Sequence, residues 1–161
     1  MEHSGLEEFW KINNRIYNET NQLYHRLARS CGLSDCAFWL LYTLREEEGP
    51  LTQTQLSEIL CLPRQTVNSA LKRLVKEGCL RLEAVDGNLK NKQVLLTDRG
   101  EELLRSSVDL VFRLEENASA RLTEKERTAL LSLGKKLMNA FRAETDHFLA
   151  RFERTEQMEE I

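Results

Sequence analysis

The chain has 161 residues, a formal net charge of −3 and 41% hydrophobic residues, which is enough apolar material for one folded domain. This apolar content does not favour disorder as the main description of the chain. Seven glycines and two prolines are few for this length, so long helices are expected. The mean hydropathy is −0.48, and no apolar run approaches the roughly 20 residues of a transmembrane helix, which excludes a helical membrane span. The first residues lack the features of a signal peptide, so a cytoplasmic location is expected.

Two helices are predicted in the first third of the chain. Between Leu6 and Ser30, apolar residues recur at steps of three and four, which is the spacing of one buried helix face. Gly32 is placed to end this helix, and Ser34 is placed to cap the next one. The second helix is rich in aromatic residues and must end before the Gly49-Pro50 pair, which breaks the chain.

The next segment has the pattern of a helix-turn-helix. Thr52 and Gln55 fit a capping box at the start of a short helix. Because proline is tolerated in the first turn of a helix, a second helix is expected from about Pro63 to Gly78. Its apolar positions are Val67, Leu71 and Leu74. Two short helices joined by a tight turn, the second amphipathic and basic, are typical of DNA-binding modules.

A hairpin is predicted directly after this pair of helices. Residues 79–85 and 93–97 read as strands, joined by a loop that contains the turn signal Asp86-Gly87-Asn88. A hairpin in this place is a wing. From Pro63 to Leu96 the chain has seven basic and three acidic side chains, a local charge of +4 on an acidic protein. This asymmetry is the electrostatic pattern of a DNA-reading module on an otherwise acidic body.

Two long helices complete the predicted fold, one over about 97–120 and one from a capping box at Thr123 to about residue 152. The expected fold class is mainly α: a winged helix-turn-helix with a small β-hairpin wing and terminal dimerisation helices. In one domain spanning 1–161, residues 34–100 are the DNA-binding lobe, 1–31 with 101–152 the helical lobe, and 153–161 a frayed tail. Since two-fold dimers read most operators, one half-site per subunit, a homodimer is expected.

In order and spacing, these motifs resemble the MarR family of bacterial transcription factors. The similarity covers about residues 6 to 150. The matching motifs are Leu51-Thr52, Pro63-Arg64-Gln65-Thr66-Val67, Leu74 with Gly78, and Leu96-Thr97-Asp98-Arg99-Gly100. The resemblance implies a dimeric regulator of double-stranded DNA, with a small aromatic ligand bound between the dimer helices and the DNA-binding lobe.

The polar face of the second helix of the motif is the predicted reading surface. Gln and Asn can pair with adenine, and Lys can reach guanine or phosphate. The base-reading candidates are Gln65, Thr66, Asn68 and Ser69, with Arg64 placed for base or phosphate. The backbone-contact candidates are Lys72, Arg73 and Lys76. The alternative for all of them is an ordinary solvated helix face.

Further phosphate contacts are predicted from both sides of this helix. The candidates before it are Thr52, Gln53 and Gln55, for which helix capping alone is the alternative. The candidates in the wing are Lys90, Asn91 and Lys92. The family wing usually has arginines near its tip, and here it has lysines. Arginine is the residue most often inserted in a narrow minor groove, so phosphate contact is the expectation kept for Lys90 and Lys92.

Other sites are weaker. Trp10, Phe38, Trp39 and Tyr42 are candidates for a ligand pocket, with core packing as the alternative for each. The four cysteines lack zinc-knuckle spacing and fit buried thiols, with redox sensing left open. The three histidines are scattered, so no metal and no cofactor are predicted.

The leading hypothesis is a dimeric regulator, a repressor in the first instance, that binds a pseudo-palindromic operator and responds to a small ligand or to oxidation. A winged helix that binds proteins rather than DNA is the alternative. An enzyme is the least favoured class, because HExxH, Walker, GxSxG and GxGxxG motifs do not occur and no catalytic residue is predicted.

Overall fold

The computed structural model describes residues 2–47, 49–85 and 88–159, and these form a mainly helical fold with one small sheet, which confirms the predicted fold class. The described helices are α1 (Glu2–Ser30), α2 (Asp35–Glu46), α3 (Gln53–Ile59), α4 (Arg64–Lys76), α5 (Asp98–Ser106), α6 (Val108–Ser119) and α7 (Glu124–Glu159). The strands are β1 (Leu51–Thr52), β2 (Leu80–Val85) and β3 (Asn88–Leu96). The chain forms two compact units, Met1–Arg113 and Leu114–Ile161.

The turn between α1 and α2 forms as its sequence predicts. Gly32 has a φ of +72°, and the Leu33 amide donates to the Ala28 carbonyl at 3.0 Å, which closes a glycine C-cap. The Ser34 hydroxyl then accepts a hydrogen bond from the Ala37 amide and begins α2. Gly32 and Ser34 therefore both have their predicted roles.

The helix-turn-helix is held by polar contacts at each end of its turn. Thr52 and Gln55 make the predicted capping box, with the Thr52 amide donating to Gln55 Oε1 at 2.8 Å. Ser57 Oγ donates to the Leu62 carbonyl at 2.6 Å across the turn. Pro63 occupies the cap position of α4. These contacts fix where α4 starts relative to α3.

The sheet differs from the predicted hairpin in two respects. It has three strands in the order β1-β3-β2, because Leu51 and Thr52 pair with Val94 and Gln93 on β3. This two-residue strand was not predicted, since so short a segment has no periodicity of its own. In addition, β3 begins at Asn88, so Lys90 and Lys92 lie in a strand rather than in a loop. Asp86 and Gly87 of the predicted turn lie outside the described residues.

The helix predicted over 97–120 is two helices, which corrects the sequence reading. Ser107 separates α5 from α6 with backbone angles of −133° and −83°, and its hydroxyl donates back to the Leu103 carbonyl. Ser106 Oγ donates to the same carbonyl and to that of Glu102. Serine hydroxyls that bond carbonyls three or four residues earlier compete with helix bonding and favour a bend.

The last helix is longer than predicted. Its capping box is confirmed, because the Thr123 amide donates to Glu126 Oε2 at 2.7 Å and the Glu126 amide donates to Thr123 Oγ1 at 3.3 Å. The Thr123 amide, and the Thr123 hydroxyl that donates to the same Oε2 at 2.8 Å, lower the pKa of Glu126. The helix continues to Glu159, past the predicted end near residue 152.

The core of the first unit is centred on α2. Phe38, Leu40 and Leu41 of this helix are fully buried. Helix α2 packs against α1, α3 and α4, and the buried Val94 brings the sheet into the same core. The core thus holds the helix-turn-helix and the wing on one support.

Gly100 tests how tightly α5 packs on the start of the wing. A Cβ at this position would lie 2.1 Å from the Cys79 carbonyl oxygen, which is a backbone atom that cannot swing away. We expect Gly100→Ala to lower the free energy of unfolding by about 2–3 kcal/mol through overpacking, measured by urea titration.

The matched control is Ser132→Ala, because Ser132 is exposed on the polar side of α7. This substitution should change the free energy of unfolding by no more than about 0.5 kcal/mol. Equal effects of the two substitutions would contradict the close approach at Gly100.

Candidate DNA-binding surface

Helix α4 has one buried face and one polar face, as predicted. Val67, Leu71 and Leu74 are at most 1% exposed and pack into the core. The exposed residues on the remaining surface of the helix are Arg64, Gln65, Thr66, Ser69, Lys72, Arg73 and Lys76. Asn68 is partly exposed between them. Burial of the apolar face therefore presents most of the predicted base-reading residues to the outside.

The polar side chains of α4 differ in how far they are already engaged. Arg73 pairs with Glu77, with Nε donating to Oε1 at 2.8 Å, and Ser69 Oγ donates to the Gln65 carbonyl. Gln65, Asn68 and Lys72 make no side-chain hydrogen bond or ion pair with a described residue. Their donors and acceptors are free for an external partner, whereas Arg73 would have to leave Glu77 to reach one.

The segment before α4 supplies fewer free groups than predicted. Thr52 Oγ1 donates to Gln55 Oε1 at 2.9 Å, so these two side chains are bonded to each other in the capping box. This arrangement matches the capping alternative for both residues. Gln53 has no such bond among the described residues and remains a candidate for phosphate contact.

The wing places Lys92 on β3, opposite Ala84 of β2, with its side chain exposed. The side chains of Lys90 and Asn91 lie outside the described residues. Arg81 on β2 is an exposed cation that the prediction did not include, and it forms an ion pair with Glu83. The described part of the wing thus contributes two exposed basic side chains.

The structure brings together three of the four residues predicted to line a ligand pocket. Phe38, Trp39 and Tyr42 form one aromatic cluster with two residues that the sequence did not suggest. The added members are Tyr24 of α1 and Phe112 of α6, whose ring lies 4.6 Å from that of Tyr42. The sequence does not indicate these two residues, because Tyr24 and Phe112 lie on other helices and meet the α2 aromatic residues only in the fold.

Trp10 is not part of this cluster. It precedes Tyr24 by 14 residues on the same helix, about 21 Å along the axis, and its ring contacts that of Phe9. Phe38 is fully buried, which matches core packing for that residue. Trp39 and Tyr42 are only partly buried and remain candidates for ligand contact.

The four cysteines are free thiols in different surroundings. Cys61 is exposed in the turn before α4 and has a φ of +51°, whereas Cys79 is buried. Cys36 Sγ lies 3.8 Å from the Thr66 carbonyl in the first turn of α4, and burial raises the pKa of its thiol.

The described residues contain no group of three or more His, Cys, Asp or Glu side chains that could hold a metal ion. None of the described helices has the length and apolar character that crossing a membrane requires.

The central segment of the chain matches a known protein family. Residues 32–88, which contain α2, the helix-turn-helix and the first strand of the wing, match the model of the MarR family. This segment is therefore similar to the MarR family. It is 30% identical over 103 residues to the transcriptional regulator PecS of Dickeya dadantii, covering 63% of this chain and 62% of PecS. This match therefore spans less than two thirds of PecS.

A second relative and a solved structure extend the similarity beyond the matched segment. The transcriptional repressor NicR of Pseudomonas putida is 23% identical over 134 residues, covering 83% of this chain and 84% of NicR. NMB1585, a MarR family regulator from Neisseria meningitidis, has the same fold with a TM-score of 0.73. It is 21% identical and the alignment covers 87% of this chain and 97% of NMB1585. The fold shared with NMB1585 thus extends to the terminal helices of this chain.

The surroundings of the thiols predict an order of alkylation by iodoacetamide. Cys61 should react first because it is exposed, and Cys79 last because it is buried. Cys36 should react more slowly than Cys61, since a raised pKa lowers its thiolate fraction at neutral pH, and its rate should keep rising as the pH increases. Mass spectrometry of peptides from timed samples measures each rate.

Urea-unfolded protein is the control, because all four thiols are then exposed and should react at similar rates. Native labelling of Cys79 as fast as that of Cys61 would contradict the burial described here.

Proposed function

We propose that this chain is a homodimeric transcriptional regulator of the MarR family that reads a pseudo-palindromic DNA operator with α4. One observation carries this proposal: α4 has a fully buried apolar face and an opposite face whose Gln65, Asn68 and Lys72 side chains are unbonded within the described structure. Side-chain amides in the first turns of such a helix can pair with adenine edges in the major groove.

The charges around α4 support binding to phosphates. Lys76 and Arg64 are exposed at the two ends of the helix, and Lys92 is exposed in the wing. Contacts of this kind hold a protein in register on the duplex and make its affinity depend on salt. Lys72 and Lys76 are proposed as phosphate contacts, and Gln65, Thr66, Asn68 and Ser69 as base contacts.

Exposed apolar stripes on the terminal helices support a homodimer. On α1, apolar side chains that are about half exposed or more recur at helical spacing. They are Leu6, Phe9, Ile12, Ile16 and Leu23. On α7, Leu130, Leu133, Phe141 and Phe148 recur at helical spacing and are each more than half exposed. Contiguous apolar stripes of this kind mark protein interfaces, and a two-fold partner suits a pseudo-palindromic site.

The proposal also covers whether the protein represses or activates transcription, and which molecule controls it. Repression is proposed because NicR, which matches most of the chain, is named a repressor. A small aromatic ligand is proposed at the cluster of Tyr24, Trp39, Tyr42 and Phe112, whose partly buried rings could stack on it. Such a ligand would regulate only if it bound two conformations of the dimer with different affinity.

Selection of bound duplexes from a random library, followed by Asn68→Ala, tests the reading surface. We expect the wild type to enrich an inverted repeat with half-sites about 10 base pairs apart, centre to centre. Asn68→Ala should lose about 1–3 kcal/mol of discrimination at one base position of each half-site and retain the others. Titration of single-mismatch duplexes by fluorescence anisotropy measures this loss.

Lys76→Ala is the matched comparison on the same helix. It should weaken binding to all sequences alike and reduce the slope of log affinity against log salt by about one. If Asn68→Ala discriminated between bases as the wild type does, the reading face would be wrongly placed. If the wild type enriched no sequence, the chain would instead be a winged helix for a protein partner.

Leu130→Asp tests the proposed role of α7. Placing a charge in the apolar stripe should convert the dimer to a monomer, because a buried unpaired carboxylate is strongly unfavourable at an interface. Sedimentation equilibrium at micromolar concentration measures the mass. Ser132→Asp adds the same charge on the polar side of α7 and should leave a dimer. A monomeric wild type would refute the dimer.

A further inference from the structure

The corner between α5 and α6 is held by one guanidinium. Arg45, in the last turn of α2, makes a two-pronged contact with Asp109 in the first turn of α6: Nε donates to Oδ1 at 2.9 Å and Nη2 to Oδ2 at 2.8 Å. The same guanidinium reaches Glu101 of α5, with Nη1 3.5 Å from Oε2. Arg45 therefore bonds carboxylates on both sides of the Ser107 break.

A second contact lies one helical turn from the first. Tyr42, three residues before Arg45, packs edge to face on Phe112, three residues after Asp109. The Arg45–Asp109 and Tyr42–Phe112 contacts together join the end of α2 to the start of α6. The charges also suit the helix ends, since a cation lies at the C-terminus of α2 and an anion at the N-terminus of α6.

Planar geometry makes the Arg45 contact directional. A fork of two parallel N–H···O bonds fixes both the distance and the orientation of the Asp109 carboxylate, which an ammonium group cannot do. Asp109 is only 18% exposed at its side chain, so water competes weakly for it. The backbone at Ser107 has left helical geometry, so the direction of α6 depends on such side-chain contacts.

We propose that Arg45 is a positioning residue that sets the half-site spacing read by the dimer, an inference that rests on the proposed function. Helix α6 begins beside α2, which packs against α4, and it continues past Arg113 into the second unit, which includes the apolar stripe of α7. The angle at which α6 leaves Asp109 is therefore an element of the geometry linking each reading helix to its dimer partner.

Helix α6 is long enough for a small change in its direction to move its far end by about one base-pair step. Helix α6 has 12 residues and is about 18 Å long, so a tilt of about 10° at its first turn displaces its end by about 3 Å. One base-pair step is about 3.4 Å. Loosening the Arg45 contact should then make neighbouring half-site spacings accessible without any change in the residues that read bases.

The test is a set of duplexes that carry the selected half-sites with the spacer shortened or lengthened by one and by two base pairs. Wild type, Arg45→Ala, Arg45→Lys and Arg15→Ala are titrated against each duplex. Arg15→Ala is the matched control, because Arg15 also bonds a carboxylate, that of Glu19, but on its own helix α1. Circular dichroism and sedimentation establish that each variant is folded and dimeric.

We expect the wild type and Arg15→Ala to prefer one spacing sharply. Arg45→Ala should bind that spacing about tenfold more weakly while its preference over neighbouring spacings flattens. Arg45→Lys keeps the charge and loses the fork, so it should also flatten the profile and serves as the second variant if Arg45→Ala does not fold. Asp109→Asn removes the charge on the other side of the fork and should flatten the profile in the same way.

Two results would overturn the inference. One is a spacing profile of unchanged shape in both Arg45 variants, even if affinity falls at every spacing, since that pattern means a structural role alone. The other is a spacing profile of wild-type sharpness in a folded, dimeric Asp109→Asn variant. Failure of the proposed function would be recognised separately, in the earlier duplex selection, because the wild type would then prefer no half-site sequence.

Discussion

The packing of α4 on α2 is the contact on which the rest of the molecule depends. Phe38 and Leu41 from α2 and Val67, Leu71 and Leu74 from α4 are all fully buried. Each such side chain contributes about 1.5–3 kcal/mol when removed from water. The same burial orients the helix, because side chains opposite an inward apolar face must point outward. The same buried side chains therefore stabilise the core and turn the polar groups of α4 outward.

Polar side chains then place the other elements against this core. Ser57 closes the turn before α4, and Thr97 Oγ1 donates to the Gly78 and Cys79 carbonyls where α4 gives way to the wing. Gly100 allows α5 to approach that same Cys79 carbonyl. Each contact satisfies a carbonyl that the end of a helix or a turn would leave without an intrahelical partner. These bonds hold both ends of α4.

Local features of the fold were predictable, and features that depend on distant pairing were not. Gly32, Ser34, the Thr52 box and the Thr123 box act through neighbours within a few residues, so their sequence signatures suffice. Strand β1 exists only through pairing with Val94. For the site, the outward face of α4 followed from its apolar spacing. The bonds that engage Thr52, Gln55 and Arg73 depend on rotamers that composition and periodicity do not determine.

At Ser107, a local serine–carbonyl bond and a contact from a distant part of the chain act together on the path of the backbone. The hydroxyls of Ser106 and Ser107 weaken helix bonding at this point, but two serines alone do not determine the direction in which the chain continues. That direction requires partners outside the helix, and Arg45 with Tyr42 supplies them from α2. Since α2 also supports α4, the helix that orients the reading surface is the one that directs the chain into α6. A ligand that separated Tyr42 from Phe112 would therefore affect the direction of α6 and, through α2, the orientation of α4.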